Sequence, residues 1–444
     1  MTTNINDSAI VIGGSIAGLL SARILSDRFA SVTIIETDKL PELPSPRIGV
    51  PQSVQPHILF TKGYRILGEL FPEIEEQLKA GGAISIDWTR EFHHFNRMGW
   101  NANSLTPSDL ISVTCSRPLL EWSIRQQLAK YANVQFVDGY RVTRLLSRET
   151  QITGVALRSS TGLETELSAS LVVDASGRRS QAPNWLKELG FAPPPETIIN
   201  PFLGYATRRY QQPEGFKSNW KVMLISSAPP TGTRLGYLAK IENGEWIATL
   251  GGYGGDFPPI DDRGFLDFAR SLPSLEFYQA IKNAQPTSRI YAHRATTNRL
   301  RHYEQITLPQ GFVALGDSVC ALCPVYGQGM TVSAIATTIL RDWLNQSPTL
   351  SALKPARFQK KLAKSNSLSW MLATGQDLRF ATTKGGDKPI KSGGFFHSYT
   401  ERLLKLTNSD PNMNALLMEV AHLLKSPLAL YHPQVVFQVL TKGV

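Results

Sequence analysis

Near the start of the chain an apolar run, SAIVI, gives way to glycines and then to LLSARILSDR, where apolar positions recur at helical spacing. A short continuous apolar run suits a strand buried on both faces, so this stretch predicts strand, tight turn and helix. The run SVTIIETD repeats the strand pattern and ends at Glu36. Far downstream, GFVALGD predicts another buried strand, and a helix of small residues follows Met330. Between them, WKVMLISS and RLGYLAKI alternate as half-buried strands do. Asn243-Gly244 inside GYLAKIENGEWIATL signals a type I′ hairpin. His93-His94 in REFHHFNRMGW also fall in strand-like alternation, with no partner motif. The C-terminal run NALLMEVAHLLKSPLALYHPQVVFQVL is helical in pattern but broken by Pro427 and Pro433, which favours packing on the body.

These elements predict an α/β chain whose domains interleave. A Rossmann-like nucleotide-binding domain would take residues 1–80, 105–190 and 290–345. A mixed β-sheet substrate domain would take 81–104 and 191–289, and a C-terminal helical region, with loops at TTKGGDKPIKSGG, would cap them over 346–444. No internal repeat is visible. At 444 residues there is room for two or three packed units, and 42% apolar with 18% charged residues is a globular composition. No apolar run is long enough to cross a bilayer. MTTNINDSAI lacks the basic start and apolar core of a secretory signal, and three cysteines make no disulfide framework. A cytoplasmic protein is expected.

The net charge of +10 is uneven: from Ser351 to Val444 there are 13 Lys+Arg against 5 Asp+Glu. A solvated helical face is the leading reading, with weak association of this segment with a membrane surface as the other. No zinc-finger spacing or RNP-type aromatic motif is present, so no nucleic-acid partner is expected.

The turn Gly13-Gly14-Ser15-Ile16-Ala17-Gly18 departs from G-x-G-x-x-G at one place, since Ser15 stands for the middle glycine. That glycine lets backbone approach a pyrophosphate. Serine is a small replacement, and the amides at the helix N-terminus still face an anion. Glu36, 18 residues after Gly18, suits a ribose hydroxyl. The turn alone leaves NAD and FAD open, as well as a turn that binds nothing.

A second segment narrows this. Gly316-Asp317 ends a strand, and Pro324-Val325-Tyr326-Gly327-Gln328-Gly329-Met330 then opens a helix. G-D followed by P-x-x-G-x-G-M, paired with the N-terminal turn, resembles the class A flavoprotein monooxygenases of the p-hydroxybenzoate hydroxylase fold. RIGVPQSVQPHILFTKG, LVVDASGRRSQAPNWLKELG and WIATLGGYGGDFPP are similar to a subgroup that includes the olefin epoxidases of polyether biosynthesis. The resemblance runs from Ala9 to about Leu340 and more loosely beyond. It implies FAD as cofactor and NAD(P)H as transient reductant.

By that resemblance Gly13, Gly14, Ser15, Ile16, Ala17 and Gly18 face the FAD pyrophosphate and Glu36 the adenosine ribose. Arg117 starts a helix near the phosphates, Val142 lies by the adenine, and Asp174 heads D-A-S-G-R-R-S on the cofactor side. Gly316 and Asp317 meet the ribityl-pyrophosphate. Pro324, Gly327, Gln328, Gly329 and Met330 border the isoalloxazine, with Arg47 and Gln52 on a loop reaching the flavin. The subgroup has Asn where this chain has Cys323.

The implied reaction is insertion of one atom of O2 into an apolar small molecule, by epoxidation or hydroxylation through a flavin C4a-hydroperoxide. No Tyr or His relay for a phenol is identifiable in the sequence, which tilts the reading toward an alkene. The rivals are a flavin-dependent reductase of isoprenoid double bonds and a non-enzymatic FAD-binding partner protein. A flavin halogenase would show W-x-W-x-I, which is missing. LGGYGG at 250–255 is read as a sheet edge, not a second dinucleotide turn. Cys320 and Cys323 form a C-x-x-C read as two buried thiols, and no metal is expected. His57 is read as structural. Asp256, Asp261 and Asp262 are read as a solvated turn, and Asp377 with Arg379 as a pair that either lines the pocket or locks a helix pair, the buried Asp–Arg lock being the leading reading.

Overall fold

The structure is a computed structural model that describes residues 7–386 and 395–443. The loop expected at TTKGGDKPIKSGG lies partly, at 387–394, outside the described residues. The apolar runs form one all-parallel sheet, in spatial order Phe312–Ala314, Leu171–Asp174, Ser8–Ile12, Ser31–Glu36, Val134–Asp138. Val11, Val32, Ile34, Val172, Val173 and Phe312 are wholly buried, which explains why these strands are apolar rather than alternating. The helices Ile16–Ser26, Arg117–Leu128 and Gly329–Leu344 share that core through Leu19, Leu120 and Leu340. In register Ile12 lies opposite both Asp174 and Ile35, and Asp174 opposite Ala314. The strands therefore end along a common edge, where open α/β sheets bind ligands.

The second sheet has seven strands, in order Tyr291–His293, Gly204–Gln211, Glu245–Gly252, Arg234–Lys240, Val222–Ile225, Phe92–Asn96, Gly99–Trp100. Its pairings are antiparallel except Val222–Ile225 with Phe92–Asn96, so the sheet is mixed. The hairpin at Asn243-Gly244 has φ of 62° and 67°, the two positive angles that a type I′ turn requires. Helices Asp262–Arg270 and Glu276–Ile281 bury Phe265, Phe268 and Phe277 in the core of this sheet. The fold is thus the α/β arrangement that the sequence pattern predicts, a parallel nucleotide-type sheet beside a mixed sheet.

The C-terminal region is helical over Pro355–Asp377, Phe395–Leu406, Pro411–Ala421 and Pro433–Lys442. Polar contacts fasten it to the body. Asn101 donates to Asn414 at 2.8 Å and Asn96 to Asn408 at 3.0 Å. His422 stacks on Phe60 and accepts the Thr61 amide at 3.2 Å. Burial pushes its pKa down to about 3, so the ring stays a neutral acceptor. Among the described residues no helix is long and apolar enough to cross a membrane.

Candidate functional site

At the edge of the parallel sheet the first turn closes tightly. Gly13 has φ 103°, and a Cβ there would lie 2.6 Å from the Ala175 carbonyl oxygen. A Cβ on Gly18 would sit 1.8 Å from the Gly13 carbonyl oxygen. Both positions exclude a side chain. Ser15 differs: its φ of −98° and ψ of −172° are extended, open to any residue. Its hydroxyl donates to Glu121 at 3.0 Å and accepts from Arg117 at 2.6 Å.

Along this turn runs a row of buried, alternating charges. Glu36, at the tip of its strand, accepts the Gly14 amide at 2.9 Å and meets Arg47 at 3.2 Å. Arg47 also reaches Glu121 at 2.6 Å and Asp38 at 3.1 Å, and Glu121 pairs at its other side with Arg117 at 2.9 Å. Burial would raise the Glu121 pKa, but Arg117 and Arg47 outweigh it and hold the carboxyl below its usual value. Neither Glu121 nor Asp38 stands out in the sequence; the available signal for Glu121 was its spacing of four from Arg117 on one helix.

The two motifs distant in sequence meet here. A Cβ on Gly316 would lie 2.8 Å from the Ala17 Cβ, placing the G-D turn against the start of the first helix. Asp317 pairs with Arg178 at 3.4 Å. Gly329 opens the helix Gly329–Leu344, its Cβ position 4.0 Å from Asp317 Oδ1. Gly327 adopts φ 64° and faces Ile58 and Phe60, so the loop carrying Arg47 and Gln52 also borders this turn. Ile16 and Met330 are buried in the core shared by the two helices, and Pro324 is exposed. Val142 is buried in that same core, on the strand Tyr140–Arg148. Asp174 is wholly buried, and its carboxylate accepts from Ser176 at 2.5 Å and Ser180 at 2.6 Å, holding its own turn.

The arrangement suits a dinucleotide-sized cofactor. The glycine cradle admits backbone approach, Glu36 ends the neighbouring strand, and Gln328 Oε1, Arg117 Nε and Ser53 Oγ are among the buried polar atoms without a protein partner. Such atoms need a partner that the chain does not supply. FAD fits this set.

Protein Rv3254 of Mycobacterium tuberculosis is 31% identical over 387 residues, covering 85% of this chain and 81% of its own length. The chain belongs to the family of Protein Rv3254. Squalene monooxygenase of Rattus norvegicus is 27% identical over 371 residues, 79% of this chain but 56% of that enzyme. Among solved structures, a triple mutant of the flavin-dependent brominase Bmp2 aligns with TM-score 0.67 at 14% identity, covering 98% of both chains. The p-nitrophenol 4-monooxygenase PnpA of Pseudomonas putida aligns with TM-score 0.64 at 14% identity, covering 95% of this chain and 99% of that one. No family model matches. The fold of this Rv3254 relative is that of FAD-dependent monooxygenases and halogenases.

Beyond the Gly327 turn lies a cluster that the sequence pattern did not single out as one site. The wholly buried Asp377, last residue of the long helix, accepts from Tyr326 Oη at 2.5 Å and from Asn298 Nδ2 at 2.6 Å. Asn298 Oδ1 in turn accepts the Cys323 amide at 2.6 Å. Tyr253 lies with its hydroxyl 3.4 Å from that of Tyr326 and its ring stacked on Phe380 at 4.2 Å. The expected Asp377–Arg379 lock does not form: Arg379 turns to Gln376 and the Pro229 carbonyl. Residues two apart at a helix end do not face each other, which is the physical reason.

The remaining expectations resolve simply. Cys320 and Cys323 are free and buried, and burial pushes the Cys320 thiol up to about 12 and Cys323 higher still. His57 Nδ1 lies 3.0 Å from the Gln55 carbonyl, and burial, then Arg117, holds its pKa low. The DFPPIDDRG segment is a solvated turn at Asp261 and Asp262, which are exposed, with Asp261 capping the next helix and Asp262 meeting Arg208 at 2.9 Å; Asp256 is half-buried and binds Arg234 at 2.8 Å.

Proposed function

We propose that the protein is an FAD-dependent monooxygenase, reduced by NAD(P)H, that places one oxygen atom from O2 on an apolar small molecule. The observation that carries this reading is the convergence of the first turn, the G-D turn and the Gly327 turn on buried polar atoms left without partners. The likeness to squalene monooxygenase favours epoxidation of an alkene over hydroxylation, as do the sequence motifs similar to olefin epoxidases. Bound FAD would supply the redox chemistry, accepting hydride from the nicotinamide and passing electrons to O2.

The residues of this chain then have separable tasks. The turn Gly13–Gly18 would offer amides to the pyrophosphate and Glu36 would take the adenosine ribose hydroxyls. Arg117 and Arg47 would balance phosphate charge. Asp317 would hold the ribityl chain, and Gln328 with Gly329 would present polar groups to the flavin ring. Tyr205, Leu203, Leu235 and Tyr253 form an apolar cluster beside Val325 and Tyr326. That wall would seat the substrate and exclude water from the reacting oxygen. A cytoplasmic enzyme touching membrane lipid only weakly, through the exposed Leu428 and Phe437 of the basic C-terminal region, fits this reading.

The deciding experiment is anaerobic reduction of the FAD-loaded protein with NADPH or NADH, then admission of 18O2 with a panel of apolar alkenes. One 18O atom in an epoxide or alcohol product supports the reading. Saturated product without 18O would establish a reductase of double bonds instead. Bound flavin that no nicotinamide reduces under any substrate would point to a non-enzymatic partner protein.

A further inference from the structure

Asp377 belongs to the C-terminal region, yet its carboxylate holds both ends of the turn that precedes Gly327. One oxygen takes the Tyr326 hydroxyl directly; the other takes Asn298, whose carbonyl fixes the Cys323 amide. The same segment is tied to the end of the strand Glu196–Ile199, which pairs with Asn298–Arg301, since Lys384 and Asn200 exchange backbone hydrogen bonds at 2.8 and 3.0 Å. Phe380 stacks on Tyr253, and the Thr383 hydroxyl donates to the Asp377 carbonyl at 2.5 Å. The helix Pro355–Asp377 therefore ends as a clamp on the turn Pro324–Tyr326.

We propose that Asp377 is the positioning residue for the flavin-facing turn, making the C-terminal helix a working part of the cofactor site. This rests on the FAD reading above. Two features separate the group from an ordinary structural acid. It is wholly buried, and among the described residues no lysine or arginine pairs with it; its donors are hydroxyl and amide groups. The buried Tyr205 hydroxyl, beside the Cys323 thiol, completes the cluster.

The hydrogen-bond directions make the clamp depend on charge. Ionised Asp377 accepts from both Tyr326 and Asn298. A proton on the oxygen facing Asn298 would set donor against donor, and Asn298 cannot turn over without losing the Cys323 amide. A proton on the other oxygen would reverse the Tyr326 bond and send its hydroxyl toward Tyr253. Either way the turn is held differently. The titratable groups facing Asp377 are Tyr326, Tyr253, Tyr205 and Cys323, and burial pushes all four up, so they stay neutral. Burial raises Asp377 itself to about 6.

The test measures FAD affinity of the full chain by flavin fluorescence from about pH 5 to about pH 8, with D377N and Y326F beside wild type. The amide introduced by D377N would keep an acceptor for Tyr326 but set its N–H2 group against Asn298. D377N is expected to bind FAD about tenfold more weakly at neutral pH, the worth of one hydrogen bond to a charged group. Wild-type affinity is expected to fall by a similar factor as pH drops through about 6, a step that D377N lacks. Y326F is expected to bind more weakly with its fold intact. The absorption bands of bound flavin should shift in both variants, which loss of stability alone does not produce. Should D377N fail to fold, Y326F and the wild-type pH profile decide. Variants with wild-type affinity, pH profile and spectrum overturn the clamp while the FAD reading stands. A wild-type chain that takes up no FAD overturns both.

Discussion

The two ends of the cofactor site proposed above are held by opposite means. At the end proposed for the adenosine, Glu36, Arg47, Glu121 and Arg117 form a row of alternating charges, each opposite charge within 3.2 Å of the next. At the end proposed for the flavin, the Asp377 carboxylate is held by hydroxyl and amide donors, and among the described residues no lysine or arginine pairs with it. At the first end the neighbouring cations hold the Glu121 carboxyl below its usual value, away from neutrality. An unpaired buried carboxyl is pushed toward it. The difference suggests a division of labour, with a fixed anchor for the phosphates and an adjustable seat for the ring.

The largest effect should come from breaking the row of charges. Glu121→Ala leaves Arg47 and Arg117 buried and short of one carboxylate, at a cost of about 3–5 kcal/mol. FAD phosphates would replace that charge, so melting of the apo chain should fall more than melting of the FAD-saturated chain. Equal losses in both forms would mean that the row is purely structural. Gly18→Ala comes next. Its methyl would overlap the Gly13 carbonyl oxygen at 1.8 Å, and the backbone shift needed should cost about 3 kcal/mol with loss of bound flavin on purification. A variant purified yellow with wild-type stability would show that the turn is looser than its geometry.

Asp377 gives a pH signature of definite sign. Its carboxyl is raised in the folded protein to about 6, so the folded state holds a proton that the unfolded state has released between the ordinary value of 3.8 and 6. Stability from this group is therefore fully present at low pH and lost as pH rises through about 6, by about 3 kcal/mol in all. D377N carries no such charge. Subtracting its melting temperature from that of wild type at each pH should give a difference that falls from about pH 4 to about pH 7. A flat difference would mean that Asp377 titrates as an ordinary surface acid does. The opposite demands of fold and turn, one favouring the proton and the other its absence, are the pattern expected where function is held against stability.

These contrasts also explain what the sequence could and could not convey. The adenosine end is built by consecutive residues whose types are forced. Gly13 must take a positive φ, Gly18 must clear a carbonyl, and Glu36 must end a strand, so spacing alone marks them. Gly316 and Asp317 were legible for the same reason. Glu121 was half visible, through its i, i+4 relation to Arg117. The flavin end is assembled from five stretches, around Tyr205, Tyr253, Asn298, Tyr326 and Asp377. No residue there has a backbone demand that restricts its type. Adjacent charges invited a pairing of Asp377 with Arg379, but the helix end sends them apart. The mixed sheet was legible from alternation, and its hairpin from Asn243-Gly244. Its role as a wall against the flavin turn depended on contacts that no local pattern encodes.

The smallest effect addresses the one letter by which the first turn departs from its fingerprint. Ser15→Gly restores the middle glycine, and the geometry says that little should change. The backbone at Ser15 is extended, so a glycine gains no conformational relief. The hydroxyl stands between Arg117 and Glu121, but those two already touch at 2.9 Å and would remain paired without it. The loss of two hydrogen bonds at a site that keeps its ion pair, together with the extra freedom of glycine in the unfolded chain, should cost about 1–2 kcal/mol. FAD affinity, measured by titration of the apo chain, should stay within about fivefold of wild type. A much larger loss would show that the Ser15 hydroxyl turns from Glu121 to the pyrophosphate when the cofactor binds. A gain would show that the side chain, small as it is, keeps the phosphates from the backbone that the usual glycine exposes.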